Sequence, residues 1–188
     1  MSNKLLLRFQ KFSDKSIADL IALKSLSDAE FQRQYYSDKW NLSQLFDHLH
    51  DVEKASLAYM SKKSQASDLK RAGWRPWLYS FLLRRNLRSN RKFKAPSVLP
   101  QPIPTKTVDE LLREFTDTRA KFNEFIRHWD GPKKKLLVFK HPRVGMLTLG
   151  QTLKFLIDHW HHHQGQLKEL LNELNKEKNH VEGKKQTN

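Results

Sequence analysis

The sequence contains no cysteine, and this absence excludes three kinds of chemistry at once. Disulfide bonds, zinc–thiolate sites and a thiol nucleophile supplied by the protein itself all require that side chain. Any metal site in this chain must therefore be built from histidine, aspartate or glutamate.

Glycine, proline and long apolar runs are also scarce. With six glycines and seven prolines among 188 residues, the composition is that of a globular protein. No segment approaches the roughly 18 apolar residues that a membrane span needs, so we expect a cytoplasmic protein without a transmembrane segment. The length fits one domain, which we place at residues 1–176, followed by a polar, disordered tail at 177–188.

Positive charge is abundant, and much of it lies in one segment. The formal net charge is +15, and residues 62–94 hold eleven basic residues against one acid, Asp68. Such a segment can attract phosphates, acidic lipids or carboxylated small molecules. It can also be an ordinary solvated surface whose charge only keeps the protein soluble. Arg84, Arg85 and Arg88 are the candidates for anion binding.

Helix patterns recur along the chain, and strand patterns do not. The clearest pattern covers residues 149–174, where apolar positions recur at spacings of three and four after the capping pair Thr148 and Gln151. Further amphipathic helices begin at Asn41 and Thr107. Together with a less sharply bounded first helix, these segments predict an all-α fold, a four-helix bundle.

A long connection, residues 62–106, separates the second and third of these helices. Antiparallel neighbours need only about 2 to 8 residues between them, so this crossover predicts an up-down-down-up order. It contains the amphipathic stretch WRPWLYSFLLRRNLR and ends in the proline-rich APSVLPQPIP, which we expect to be extended. Its Trp74, Trp77 and Tyr79 could stack on bases, lie at a lipid interface or simply cover a core.

The segment DHWHHH, residues 158–163, carries four histidines whose helical phases differ. His159 and His163 are four residues apart and share a face that points to the core, whereas His161 lies on the opposite side. A pair with this spacing can bind one metal ion, but it can also be two core histidines satisfied by hydrogen bonds.

A third ligand must come from another helix, where DHLHD offers two histidines. The apolar periodicity favours His48 over His50 only modestly, so both stay open on this ground. Four nearby acids could accept hydrogen bonds from ligand imidazoles or simply face solvent, and these are Asp47, Asp51, Glu53 and Asp158.

Three segments occur in an order that is typical of one known family. Trp40 precedes a capped helix that contains LFDHLHDVE, and HPRVGMLTL leads into a final helix that contains HWHHH. In this combination the chain resembles the DinB superfamily. The resemblance implies an up-down-down-up four-helix fold, frequent homodimers, and a divalent metal (zinc, nickel or iron) held by His48, His159 and His163. His141, which opens the HP..G.LT stretch, is a candidate for the rim of that site.

Two classes of function follow from these patterns. One is a metal-dependent enzyme acting on a small, anionic substrate, either a hydrolase or a transferase that uses an exogenous low-molecular-weight thiol. The other is a non-catalytic protein that binds nucleic acid or acidic membrane through the basic crossover. We favour the enzyme, because a buried histidine pair needs a partner and a charged surface does not.

Overall fold

The computed structural model describes residues 3–89, 100–129 and 131–185. The part of the chain that it describes contains six α-helices and one two-stranded sheet. Their bounds are α1 (Asn3–Ala22), α2 (Asp28–Phe31), α3 (Leu42–Lys63), α4 (Trp74–Leu87), α5 (Val108–His128), β1 (Leu137–His141), β2 (Gly145–Thr148) and α6 (Leu149–Lys185). Short 3-10 turns follow α1 and precede β1.

Capping boxes define where four helices begin. Ser27, Asn41 and Thr107 each accept a hydrogen bond from the backbone of the third helical residue, whose side chain accepts one in return. Thr148 and Gln151 form the same reciprocal pair at the start of α6. The capping pair predicted at Thr148 and Gln151 and the helix starts predicted at Asn41 and Thr107 are therefore confirmed.

Four long helices, α1, α3, α5 and α6, share one core. α3 and α1 each contact both α5 and α6. Trp160 of α6 lies at the centre, with its ring 5.8 Å from those of Phe12 and Phe46 and 6.0 Å from that of Phe115, each on a different helix. The fold is mostly helical, as predicted, while the up-down-down-up bundle stays a prediction.

A β-hairpin before α6 corrects the all-α prediction. β1 and β2 pair antiparallel, with His141 opposite Gly145 across a three-residue loop and an irregularity between Leu137 and Phe139. Gly145 has a φ of 75°, a conformation that side chains with a Cβ rarely adopt. This loop followed by a left-handed glycine is a common hairpin connection. The hairpin places His141 beside the histidines of α6.

The crossover contains α4, which packs against α6. Residues 90–99, including Arg91, Lys92, Lys94 and the first half of the proline-rich stretch, lie outside the described residues. The returning segment is fixed to α3, because Ser43 donates to the carbonyl of Ile103 and the Ile103 amide donates to Asp47.

The last helix continues beyond the end that its apolar pattern predicted. Residues 175–185, most of them in the predicted polar tail, are helical, and 186–188 lie outside the described residues. Ion pairs Arg33–Glu177 at 2.9 Å and Lys178–Glu30 at 2.8 Å fix this end of α6 to the α2 region. These partners are far away in sequence, so periodicity could not reveal them.

Among the described helices, none has a stretch that is both long enough and apolar enough to cross a membrane.

Candidate metal centre

His48 reaches the core from the second turn of α3. The Asn41 cap fixes the start of this helix, which sets the direction of every later side chain. The His48 imidazole is buried and packs on Trp40, with 4.7 Å between ring centroids. The tryptophan before the cap therefore forms one wall around the ring.

His159 and His163 lie one turn apart on α6 and face His48. Their ring centroids are 4.8 Å apart, and each is 5.2 Å from that of His48. One nitrogen from each of the three rings lies within 4.8 Å of the other two. Three imidazoles from two helices thus converge on one point where a metal ion could be held.

The remaining histidines of these two segments are not part of this convergent group. His50 faces α5, where its Nε2 lies 3.0 Å from the Thr118 hydroxyl and its Nδ1 lies 3.3 Å from Glu114. His161 is exposed, as its helical phase predicted. His162 donates from Nδ1 to the carbonyl of Leu87 at 2.9 Å. Of the two histidines that the sequence left open on α3, His48 lies with the α6 pair and His50 does not.

Burial keeps the three converging imidazoles neutral. It lowers the pKa of His48 to about 4, against a small opposing effect of Asp47. Burial and the nearby His48 lower the pKa of His163 to about 4, and burial with the neighbouring imidazoles lowers that of His159 well below 6.5. Neutral imidazoles are the form that binds metal, so no proton must leave at pH 7.

Gln166 orients His163, and this contact has no counterpart in the sequence prediction. The Nδ1–H of His163 donates to the Gln166 side-chain oxygen at 3.2 Å. This leaves Nε2 with its lone pair for a metal. The spacing of three on one helix face was the only sequence signal that pointed to the pair.

A cavity of about 950 Å³ opens on the three histidines. Its apolar walls come from α3, α4, β1 and α6, and include Tyr79, Leu83, Leu87, Phe139 and Phe155. Its polar lining includes Lys39, Lys140, His141 and Arg143. The cavity is large enough for a small substrate beside the imidazoles.

His141 lines this cavity and is buried, while its role at the rim of a metal site stays a prediction. Burial, with a smaller effect of Arg143, lowers its pKa to about 4. Its Nδ1 accepts a hydrogen bond from the Arg143 amide at 3.2 Å, which places the proton of the neutral ring on Nε2.

The three arginines proposed for anion binding are not among the residues that line the cavity. Arg84 and Arg88 instead bind Asp158, a carboxylate on α6 that is 1% exposed. Two Arg88 nitrogens lie 2.9 and 3.0 Å from the same oxygen, and Arg84 binds the other. Arg85 is exposed. An anion-binding role for these side chains stays a prediction.

Three of the four acids suggested as acceptors for ligand imidazoles bind cationic side chains instead. Asp158 binds the two arginines, and Glu53 forms a buried ion pair with Arg119 at 2.9 Å. Asp47 binds Lys106, and Asp51 has a pKa raised by burial and by Asp47.

A second group of potential ligands, Asp47, His50 and Glu114, lies on the other side of α3. The Lys106 ammonium lies 2.8 Å from Asp47 and 2.6 Å from Glu114. The Lys106 ammonium therefore already balances the negative charge of these two carboxylates.

The sequence model of the DinB superfamily matches residues 15–167. No curated protein and no solved structure matches the chain. Since the matched region includes all three converging histidines and most of the chain, the protein belongs to the DinB superfamily.

Proposed function

We propose that the protein is a metal-dependent enzyme in which His48, His159 and His163 hold one divalent ion of zinc, nickel or iron. The observation that carries this proposal is the convergence of three neutral imidazoles on an open cavity. A purely structural site would have four protein ligands and no access for other molecules.

The donor set fits such an ion. Three imidazoles suit zinc, nickel and ferrous iron, and leave coordination positions for a molecule in the cavity. These three residues would hold an ion whose Lewis-acid chemistry could activate either water or a thiol towards an electrophile. Since the chain has no cysteine, the thiol would be an exogenous low-molecular-weight compound. Hydrolase and thiol transferase are therefore the two reactions we consider.

The cavity lining indicates the kind of substrate. Aromatic and leucine side chains would hold an apolar body, and Lys140 and Arg143 would attract an anionic group, whereas Lys39 is paired with Glu169 at 2.6 Å. Carboxylates occur on small-molecule thiols as well as on many substrates. We therefore propose a small, mainly apolar substrate or cosubstrate that carries a negative charge.

His141 is the residue we propose to hold the substrate beside the three histidines. Its Nε2–H can donate to an oxygen atom of the substrate, since Nδ1 already accepts from Arg143. Its lowered pKa keeps the ring neutral, so it would orient and polarise the oxygen without bringing a full charge into the cavity.

The alternative is a non-catalytic protein that binds nucleic acid or acidic membrane through the basic crossover. It has less support, because the buried Asp158 neutralises part of the charge of Arg84 and Arg88.

The four-helix, up-down-down-up arrangement and a homodimer remain proposals that rest on family membership.

Cobalt substitution tests the open site directly. We expect the visible spectrum of the cobalt protein to change when a small thiol or azide is added, because an exogenous ligand enters through the cavity. A spectrum that changes with neither the thiol nor azide, in protein that holds its cobalt, would indicate a closed structural site and contradict an enzymatic role.

Replacement of Val52 by phenylalanine in the cavity wall should weaken the spectral response to the thiol, whereas Val144→Ile should leave this response within about twofold of the wild type.

A further inference from the structure

One face of α4 carries three exposed aromatic side chains, Trp74, Trp77 and Phe81, which we call the aromatic stripe. Trp74, Trp77 and Phe81 are 69%, 66% and 52% exposed, although Ser80, Leu83 and Leu87 of the same helix are buried. At about 100° per residue, the three aromatic residues lie within an arc of roughly 60°. Their grouping distinguishes them from isolated exposed apolar residues, which are common on any protein surface.

The stripe is ordered and is bordered by arginine. The rings of Trp77 and Phe81 stack with centroids 6.1 Å apart and an interplanar angle of 11°. Arg75 lies 5.7 Å from the Trp74 ring, and the exposed Arg85 continues the stripe by one turn. Large aromatic rings with arginine beside them are typical of helices that lie at a water–lipid boundary.

A second basic segment joins the start of α4, although it is distant in sequence. The amide of Ala72 donates to the carbonyl of Lys135 at 2.8 Å, and that of Leu137 donates to the carbonyl of Lys70 at 2.9 Å. The segment GPKKK, residues 131–135, is thereby held against residues 70–72. Exposed cations from both segments meet there, and these are Lys70, Arg71, Lys133 and Lys135.

We propose that α4 docks on an anionic lipid surface. The side chains of Trp74, Trp77 and Phe81 enter the boundary between headgroups and acyl chains, and the surrounding lysines and arginines bind the anionic headgroups. Stable binding to the membrane surface needs both the aromatic rings and the positive charges, since a few of either alone give only weak binding.

Lipid fits this surface better than the other candidate partners. The phosphates of a nucleic-acid duplex would bind the cations but would leave Trp74, Trp77 and Phe81 without an apolar environment. A second copy of the chain would bring two basic surfaces together, and like charges oppose such a contact.

The docking face lies next to the cavity wall. Tyr79, Leu82 and Asn86 line the cavity from the adjacent side of the same helix. A docked protein would therefore hold one wall of its cavity close to the lipid. The docking itself does not rest on the proposed metal-dependent activity.

Vesicle binding by the full chain tests the proposal. Protein is sedimented with vesicles of phosphatidylcholine containing about a third phosphatidylglycerol, and with vesicles of phosphatidylcholine alone. The test variant combines Trp74→Gln, Trp77→Gln and Phe81→Gln. The matched control combines Leu7→Gln, Ile21→Gln and Ile103→Gln, which removes three exposed apolar side chains elsewhere.

We expect the wild type to bind the anionic vesicles and to release them as salt rises. The partition coefficient should fall at least about tenfold in the stripe variant and stay within about twofold in the control. Tryptophan emission should shift to shorter wavelength with vesicles in the wild type and in the control, but not in the stripe variant. Absence of binding, equal loss in both variants, or a stripe that instead mediates self-association or oligonucleotide binding would overturn the proposal.

Discussion

Gln166 is the residue that fixes which nitrogen of His163 remains available to a metal. Replacing it by leucine removes the acceptor for Nδ1–H while keeping the size of the side chain. We expect metal affinity to fall about 10- to 100-fold, as is usual when the hydrogen-bond partner of a ligand imidazole is lost. Competition with a chromophoric chelator measures this change. Gln164→Leu, on the same helix but outside the cavity lining, should bind metal like the wild type; equal affinity in both variants would contradict this role.

The lowered pKa values of the three histidines predict how the metal-free protein responds to acid. In the folded chain the pKa is about 4 for His48 and for His163 and is well below 6.5 for His159, whereas the value in the unfolded chain is about 6.5. The unfolded chain therefore binds more protons between these values, and the free energy of unfolding should fall as pH drops from about 6.5 towards 4.

Chemical unfolding of metal-free protein at several pH values measures this slope. The His163→Gln variant should show a shallower decline, because one of the groups responsible is absent. A slope that is unchanged in this variant would show that His163 does not titrate as its burial implies.

At the scale of elements, Asp158 fixes α4 to α6 and thereby forms one wall of the cavity. Asp158→Asn keeps the shape of the side chain but leaves Arg84 and Arg88 without their counter-charge. We expect a loss of about 2–3 kcal/mol in the free energy of unfolding, less than for a fully buried pair because both arginines keep some contact with water. Urea unfolding gives the value.

The exposed pair Lys121–Asp117 provides the control, with side chains 63% and 64% exposed. Asp117→Asn should cost no more than about 0.5 kcal/mol. Hydrogen exchange should also accelerate in α4 of Asp158→Asn but not in the control. If the two variants unfold alike, Asp158 does not hold the helix.

Local patterns predicted most of the helices, since a capping pair or an apolar face involves residues only three or four positions apart. The hairpin was missed because its residues 137–148 mix apolar and polar positions without clean alternation. Val138 and Phe139 followed by Pro142 and Gly145 were the available signals.

At the scale of the whole molecule, contacts between segments that are distant in sequence determined the features that local patterns did not predict. The phase of α6 predicted that His159 and His163 share a face, and family resemblance indicated His48. The arginines of the crossover looked like free cations, because a carboxylate 70 residues later gives no local signal. The exposure of the aromatic stripe is equally a property of the folded chain, since its spacing alone also fits a buried face.

The metal content of tag-free protein tests the central claim most directly. After incubation with zinc and removal of excess ion, we predict close to one ion per chain in the wild type and in His161→Gln, whose side chain is exposed. His163→Gln should retain less than about a tenth of that amount, because it loses one of three ligands while keeping a polar side chain of similar length. Equal metal content in His163→Gln and His161→Gln, or a wild type that binds no ion, would contradict a metal centre at His48, His159 and His163.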